Sequence, residues 1–446
     1  MFYVGILVQS KEANMLKLIK KIAAACCFSL AAAALLSGCS SNADSGGKLK
    51  LTFQIWDDAQ RGGMQDVANA YMAEHPDVSI EVQVTSWDEY WTKLDAAAES
   101  NQLPDIFWMH TNQILKYADY GKLADLTDLY QSEDPEYYEK HFSDISLDNA
   151  RGSDGRIYGV PKDKDSVCLV YNREMFDAAG LSYPDDTWTW DDLISASQTI
   201  YDKTGKYGYM AYADEQLGYW NFVYQAGGYI LNEDKTKAGF DQEATRKGMD
   251  FYIGLQSYEW CPDQNYFAET NPGTAFISEQ GAMYLEGNWN LMSMMKNNTN
   301  LIGKWDVAVL PKCPDPLNGD GRATISNGLC YATGAEGKHL EAVKDFLRFA
   351  GSEEGQRVQG LSGAAIPAYI GLEDTWIHAF DQFDYKLDVQ KCVDMLPYGV
   401  QSVNNASRPN WKTQINDLLL KIYSGELTLD QGLADMQTLV DSAKAP

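Results

Sequence analysis

Leu49-Lys-Leu-Thr-Phe-Gln-Ile-Trp56 is the stretch of sequence that decides the fold. Its apolar and polar residues alternate, which is the pattern of a half-buried β-strand. Residues 63–74 then carry apolar side chains at helical spacing, and Val78–Val84 predicts a second strand. Strand and helix therefore alternate from the beginning of this segment.

The alternation continues along the chain. Trp87–Glu99 predicts a helix, the apolar run Ile106-Phe-Trp108 predicts a short strand, and residues 167–171 predict a buried strand after which helices predominate. Thr189 precedes two carboxylates and predicts a helix N-cap. Such alternation indicates a doubly wound α/β architecture with a mainly parallel sheet.

The start of the chain predicts a secretory leader. Lysines after Met15 precede a 15-residue apolar run, which ends at Leu36-Ser-Gly-Cys39. The run is shorter than the roughly 20 residues that a bilayer-spanning helix needs. We expect residues 1–38 to be a signal peptide with its true start at Met15, Cys39 to carry lipid, and 39–47 to be a polar tether. The protein would then work on the extracellular face of the cell membrane; an ordinary signal that contains a cysteine is the alternative.

The bulk composition limits the function classes. With 446 residues the chain is too long for one ordinary core and predicts two domains. It has 63 acidic and 36 basic residues, a net charge of −27, and this field repels nucleic acid and anionic lipid. Because 45% of the residues are hydrophobic, we expect packed cores rather than disorder.

Cysteine and histidine usage indicates no metal or cofactor site. None of the cysteines beyond residue 39 forms a Cys-x-x-Cys pair, and the histidines are dispersed. We expect the thiols to be buried and reduced, with a Cys313–Cys330 disulfide as the alternative. The acidic loop at 313–321 lacks the glutamate of an EF-hand and is expected to be an ordinary surface loop.

Several parts of the chain resemble segments of one known family and occur in the family's order. The first of them, residues 51–58, is similar to the family's first strand and the ligand-facing turn after it. Leu103-Pro-Asp-Ile-Phe-Trp108-Met-His110 is similar to its strand that brings an aromatic residue to the cleft. Tyr158-Gly-Val-Pro161 with Leu169-Val-Tyr-Asn172 resembles its segment crossing to the second lobe. Gln280-Gly-Ala-Met-Tyr-Leu-Glu-Gly-Asn-Trp289 resembles the run that presents its sugar-stacking tryptophan. The family is that of the family 1 extracellular solute-binding proteins, sugar-capturing lipoproteins of ABC importers that are distantly similar to maltose-binding protein.

The resemblance implies a two-lobed, periplasmic-binding-protein-like α/β fold of type II. Each lobe would be a mainly parallel sheet flanked by helices, with a hinge between the lobes. The N-terminal lobe is expected to comprise residues 48–167 with 323–365, and the C-terminal lobe 168–322 with 366–446. A monomer would bind carbohydrate between its lobes and deliver it to ABC permease subunits in the membrane.

Site candidates follow from the chemistry of sugars. Sugar rings offer apolar C–H faces and hydroxyl groups, so a good site supplies aromatic rings together with carboxylates or amides. Trp289 follows a polar turn that contains Glu286 and Asn288, and all three are candidate ligand contacts. Core packing of Trp289 and helix capping by Glu286 or Asn288 are the alternatives.

Further candidates follow the first strands. Trp56 and Asp58 come at the end of a strand, at the edge where α/β sheets usually bind ligands. Asp58 is preferred over Asp57, and either could instead be an N-cap. Trp108 and His110 lie beyond the next such strand, and the resemblance to the family favours both as ligand contacts. Core packing is the alternative for Trp108.

The remaining candidates lie near the crossing segment and in the second half. In Lys162-Asp-Lys-Asp165, we expect Asp165 to face the cleft, with Asp163 in reserve; a solvated charge cluster is the usual alternative. Trp220 is a candidate aromatic of the second lobe, with helix packing as the alternative, and Asn327 is a candidate on a returning strand. Weaker suggestions are Trp87, Asn101 and Arg408.

Three functions stay open from the sequence. Non-catalytic capture of an oligosaccharide for an importer is the expected one. An extracellular carbohydrate-active enzyme would need two carboxyl groups across one glycosidic bond, and a sensor or adhesin would share the fold. Because no Gly-x-Ser-x-Gly, His-Glu-x-x-His or phosphate-binding motif occurs, we expect neither an enzyme nor a cofactor.

Overall fold

The computed structural model describes residues 47–403, 405 and 407–443. The predicted signal peptide, the Cys39 lipidation site and the tether up to residue 46 lie outside the described residues. Among the helices that are described, none combines the length and the apolar character needed to cross a membrane.

The described strands form two larger sheets and one small pair. In chain order they are β1 (Leu49–Ile55), β2 (Val78–Val84), β3 (Ile106–His110), β4 (Val160–Pro161), β5 (Val167–Asn172), β6 (Tyr207–Tyr209), β7 (Gly281–Gly287), β8 (Trp305–Ala308), β9 (Thr324–Ser326), β10 (Leu329–Ala332) and β11 (Gly399–Gln401).

Each larger sheet contains one reversed strand. The first sheet has the order β2-β1-β3-β10-β4, in which β10 is antiparallel to both of its neighbours and β1 is parallel to β2 and β3. The second has the order β6-β7-β5-β8, in which β5 is antiparallel to both of its neighbours. β5 begins after the chain has crossed from β4 of the first sheet, and β10 begins after β9 of the small pair. Each reversed strand begins at the edge toward which its neighbours run, since Val167 pairs with Gly287 and Leu329 pairs with His110. The predicted α/β architecture is confirmed. The two larger sheets are mixed, because three of their strand pairings are parallel and four are antiparallel.

Helices pack around the sheets. They are α1 (Arg61–Glu74), α2 (Trp87–Glu99), α3 (Thr111–Asp119), α4 (Tyr137–His141), α5 (Asp144–Asp148), α6 (Arg173–Ala179), α7 (Trp190–Thr204), α8 (Trp220–Gln225), α9 (Glu243–Gly254), α10 (Gln264–Glu269), α11 (Pro272–Ile277), α12 (Asn288–Asn297), α13 (Leu340–Ala350), α14 (Glu353–Ser362), α15 (Glu373–Ala379), α16 (Gln390–Met395), α17 (Lys412–Tyr423) and α18 (Leu429–Ser442).

The local signals in the sequence explain where several helices lie. α1 buries the apolar side chains that recur at helical spacing, among them Met64, Val67 and Tyr71. Thr189 caps α7, because its side chain accepts from the backbone N–H of Asp192 and the Asp192 carboxylate accepts in return. The predicted N-cap at Thr189 is confirmed.

The central strand β5 is buried on both faces. Val167 and Leu169 belong to one hydrophobic core, while Cys168 and Val170 belong to another on the opposite face. Continuous burial is typical of a sheet covered by helices on both sides. A separate core surrounds the first sheet.

The cysteines beyond residue 39 are buried free thiols. Cys330 lies in the core of the first sheet and Cys313 in a core of the second, so the structure does not contain the alternative disulfide between them. Within the described ranges, no group of three or more His, Cys, Asp or Glu side chains converges on a position that could hold a metal ion.

Replacement of Leu169 by Ala should lower the free energy of unfolding by about 2–5 kcal/mol, because it removes a fully buried side chain and leaves a cavity. Leu420→Ala, at a half-exposed position on α17, is the matched control and should change it by less than about 0.5 kcal/mol. Urea denaturation followed by tryptophan fluorescence measures both. Equal effects would contradict the central position of Leu169.

Candidate ligand-binding cleft

Two chain segments cross between the sheets, and two buried aspartates hold them together. The first segment, 162–166, runs from β4 of the first sheet to β5 of the second, and the second segment, 327–328, runs from β9 of the small pair to β10 of the first sheet. The Asp163 carboxylate accepts a hydrogen bond from the Leu329 backbone N–H at 2.8 Å. The Asp165 carboxylate accepts one from the Asn327 backbone N–H at 2.6 Å. The two segments are thus held side by side, and we call these contacts the aspartate brace.

Lys162 pairs with one aspartate of the aspartate brace. Its side chain is completely buried, and its ammonium donates to Asp163 at 2.6 Å and to Gln60 at 2.9 Å. The ammonium also lies 4.4 Å from the centre of the Trp108 ring, within the range of a cation–π contact. A buried charge must be paired, and three neighbours compensate this one. The charged run is therefore a structural element and not a solvated cluster.

A cavity of about 470 Å³ lies beside the aspartate brace. It lies between strand ends of the two larger sheets, which is where α/β proteins usually bind ligands. The sequence candidates that line it are Trp56, His110, Asp163, Asp165, Asn288, Trp289 and Asn327. We call this cavity the main pocket; ligand contact by these residues stays a prediction.

Trp108 and Trp220 do not line the main pocket, contrary to expectation. Trp108 is fully buried, as are all residues of β3. The Trp56 ring packs edge-on against it, with the two ring centres 5.1 Å apart. Trp220 is buried at the start of α8, with the Arg408 guanidinium 5.3 Å from its ring centre. Both tryptophans support residues of the pocket from behind.

Asp58 and Glu286 are also placed elsewhere. Asp58 is exposed, whereas Asp57 lines the pocket and caps the following helical turn by accepting from the Ala59 N–H at 2.9 Å. Asp57 and not Asp58 therefore lines the pocket, because β1 ends at Ile55, one residue before the strand end expected at Trp56. Glu286 lies in a neighbouring cavity, and Asn101 lines a separate one.

Two tryptophans form an aromatic wall on the side of the first sheet. Trp56 and Trp87 meet at 86°, with their ring centres 5.2 Å apart, and both line the main pocket. Trp91, Tyr90 and Trp108 pack against Trp56. Trp87 was only a weak candidate, yet its 43% exposure makes it the most accessible of these rings. The layers behind hold the wall in place.

Trp289 is presented from the second sheet by a different device. A Cβ atom added to Gly287 would come within 2.2 Å of the Trp289 ring, so the indole lies directly on the glycine backbone. Asn288 fixes the start of α12, because its side-chain oxygen accepts from the Ser166 N–H at 3.0 Å. The Gly-Asn-Trp sequence therefore sets the position of the ring.

Sequence reasoning missed a buried ion pair in the pocket wall. Arg408 donates to the Glu215 carboxylate and to the Asn112 side chain. Asn112 lies in the first turn of α3, far from Arg408 in the sequence. Lys412 lies 4.0 Å from Glu215. Arg408 had been a weak suggestion, and no local pattern identifies its partners.

His110 lies beside this ion pair and stays neutral. Burial, followed by the nearby charges of Arg408 and Lys412, lowers the pKa of His110 to about 3. Its Nδ1 accepts a hydrogen bond from the Asn112 N–H at 3.1 Å, so the proton of the neutral ring is on Nε2. His110 can therefore donate, but it does not carry charge at neutral pH.

Four side chains of the pocket wall keep polar atoms with no hydrogen-bond partner in the described part of the chain. They are two donors, Asn288 Nδ2 and Arg408 Nε, and two acceptors, Asn327 Oδ1 and Glu215 Oε1. Buried polar atoms are expensive to leave unpaired, so such a cluster indicates a place for a polar ligand. The mixture matches groups that both donate and accept.

The chain belongs to the family of bacterial extracellular solute-binding proteins, whose family model matches residues 58–357. The arabinooligosaccharide-binding protein of Bacillus subtilis is 24% identical over 335 residues, which cover 72% of this chain and 74% of that protein. The arabinooligosaccharide-binding protein of Halalkalibacterium halodurans is 24% identical over 323 residues, which cover 67% of this chain and 69% of that protein. The predicted family membership is confirmed.

Solved structures share the fold. An ABC substrate-binding protein of Listeria monocytogenes in complex with cycloalternan has a TM-score of 0.77 at 21% identity, over 88% of this chain and 98% of that one. The cyclic α-maltosyl-1,6-maltose-binding protein of Arthrobacter globiformis has a TM-score of 0.73 at 22% identity, over 89% and 99%. The fold is the two-lobed type II fold of periplasmic sugar-binding proteins, as predicted, and the exact lobe boundaries stay a prediction.

The brace makes stability depend on pH. Burial, followed by the negative charge of Asp163, raises the pKa of Asp165 from 3.8 to about 7. Between these values the folded protein holds a proton that the unfolded chain has lost, so stability falls as pH rises. From pH 4 to pH 7.5 the free energy of unfolding of the wild type should fall by at most about 4 kcal/mol more than that of Asp165→Asn, which has no carboxyl group at this position.

Chemical denaturation at a series of pH values measures this difference. Asp58→Asn, at an exposed carboxylate of the same region, is the control and should follow the wild-type profile. Parallel profiles for the wild type and Asp165→Asn would show that Asp165 does not titrate in this range.

Proposed function

We propose that the protein captures a neutral oligosaccharide in the main pocket and presents it unaltered to the permease of an ABC importer. The observation that carries the proposal is the pairing of unpartnered donors and acceptors with aromatic rings in one cavity. A hydroxyl group both donates and accepts, and a sugar ring has an apolar face for an indole. A carboxylate ligand would leave the acceptors unpaired, and an amine would leave the donors unpaired.

The relatives support the same class of ligand. Two of them carry the name arabinooligosaccharide-binding protein, and two structural neighbours were solved with, or are named for, cyclic oligosaccharides. These names differ in the sugar but agree that it is an oligosaccharide. We therefore infer the class from them and leave the sugar itself to experiment.

A binding role without catalysis agrees with the state of Asp163 and Asp165, two of the carboxyl groups that line the main pocket. The Asp165 oxygens accept from the Asn327 N–H and from Gln216 at 3.0 Å, and those of Asp163 accept from the Leu329 N–H and from Lys162. A glycosidase needs one carboxyl group to protonate the leaving oxygen and another to act on the opposite side. These aspartates are instead committed to the brace, which supports a protein that is not an enzyme.

The cellular position follows from the leader. The Leu36-Ser-Gly-Cys39 sequence supports a lipid anchor on Cys39, on the extracellular face of the membrane, where a permease could be reached. Two acyl chains suffice for stable anchoring. Globomycin treatment of cells, which blocks removal of a lipoprotein signal, should cause the precursor to accumulate, and the Cys39→Ala variant should be released from membranes.

Purified protein should be stabilised by neutral oligosaccharides in a thermal-shift screen. Arabinooligosaccharides, maltooligosaccharides, oligogalacturonates, spermidine and a tripeptide are the probes. A ligand at 100 times its Kd adds about 2.7 kcal/mol to the free energy of unfolding, so the melting temperature should rise measurably. Chromatography of the same mixtures should show no products. Stabilisation by the charged probes alone, or turnover of any glycan, would contradict the proposal.

Loss of the Trp289 ring should weaken binding. Trp289→Ala should lower the affinity for the best glycan at least tenfold, about 1.4 kcal/mol. Gly287→Ala should have a similar effect because its methyl group takes the space of the indole. Trp188→Ala, at a half-buried ring outside the pocket, is the control and should bind normally. Calorimetry measures the affinity of all three variants. Normal binding by Trp289→Ala would contradict ligand contact by the Trp289 ring.

A further inference from the structure

A second cavity adjoins the main pocket across one residue. It has a volume of about 240 Å³ and lies between α11 and α12, with Glu286 at the end of β7 in its wall. Asn290, on the first turn of α12, lines both cavities. The two cavities therefore share the Asn290 side chain as part of their walls, and we call the second one the side cavity.

The wall of the side cavity combines polar and apolar side chains, the latter including Ile277 and Met294, and its described residues include no cationic group. Amide and hydroxyl side chains surround one carboxylate, and the described lining includes neither Lys, Arg nor His. An anion would have no counter-charge there. A single carboxylate also falls short of a metal site. The chemistry suits a neutral ligand with hydroxyl groups.

Glu286 has spare capacity to accept hydrogen bonds. Its Oε1 accepts from the Gly287 N–H at 2.8 Å and from Asn290 at 2.9 Å, while Oε2 accepts only from the Tyr284 hydroxyl, at 3.2 Å. The side chain is 7% exposed. A carboxylate has about four acceptor positions, so a buried one with a single, long bond at Oε2 can still receive a ligand hydroxyl.

Gly273 leaves the approach to Oε2 open. A Cβ atom added at Gly273 would stand 3.8 Å from Oε2 and 3.8 Å from the Tyr284 hydroxyl, which is ordinary contact. A larger side chain there would extend into the side cavity without displacing the backbone.

We propose that the side cavity is an additional subsite, in which Glu286 accepts a hydroxyl from the glycosyl unit that continues an oligosaccharide beyond Asn290. The inference rests on the proposed function and deepens it, since it makes the preferred ligand longer than the main pocket alone would hold. Glu286 then contacts the ligand and also orients Asn290 between the two cavities.

The test blocks the side cavity and leaves the main pocket intact. The probes are the two-unit and five-unit members of the arabinooligosaccharide or maltooligosaccharide series, whichever gives the larger thermal shift. The wild type should bind the five-unit glycan at least tenfold more tightly than the two-unit one in calorimetry. Gly273→Leu should remove this preference and leave the two-unit affinity unchanged.

Two further variants keep the result interpretable. Gly254→Leu, at the end of α9 where an added Cβ meets no atom within 4 Å, is the control for the glycine-to-leucine change and should keep the preference. Gly273→Ala should retain most of it because the methyl group fits. Melting curves without ligand establish that each variant is folded.

The outcomes separate the two proposals. Equal affinity for short and long glycans in the wild type, or a retained preference in folded Gly273→Leu, would overturn the subsite. An equal loss for both glycans would also overturn it, because the side cavity would then act only by supporting the main pocket. A wild type that binds no oligosaccharide would instead overturn the proposed function.

Discussion

The structure depends on the hydrogen bonds that two aspartates accept from the opposite crossing segment. Chain that passes between two sheets cannot use the ladder of either sheet, so its buried backbone N–H groups need other acceptors. Asp165 supplies such an acceptor to Asn327 in the crossing segment, and Asp163 supplies one to Leu329, the first residue of β10. Because the segments are held at this point, the strand ends of both sheets meet there, and the main pocket is formed between them.

This arrangement has an energetic cost that coincides with the site. The raised pKa of Asp165 shows that its charge is poorly solvated, and unpartnered atoms on Arg408 and Glu215 add to the cost. Natural proteins accept such local instability mainly where function requires it. A ligand that donates and accepts hydrogen bonds would pair these atoms and so reduce the cost.

The tryptophans show how similar residues acquire different roles. Trp56 and Trp108 are in direct contact, and of the two only Trp56 lines the pocket. Trp289 is held on the opposite side by contact with Gly287. The positions of these rings come from the packing behind them, since each indole is accessible only where its neighbours leave one surface uncovered.

Periodic patterns and ordered motifs determined the alternation of strands and helices, the capped start of α7 and the family, and they pointed to several residues that line the pocket. These features are local, and the period of side chains along an element is set by its backbone geometry. Tertiary structure alone decided that Trp108 and Trp220 are buried, that Asp57 rather than Asp58 faces the pocket, and that Arg408 meets Asn112 across 296 positions of sequence. Such contacts depend on which faces of distant elements pack together, and neighbouring residues in the chain carry no record of that choice.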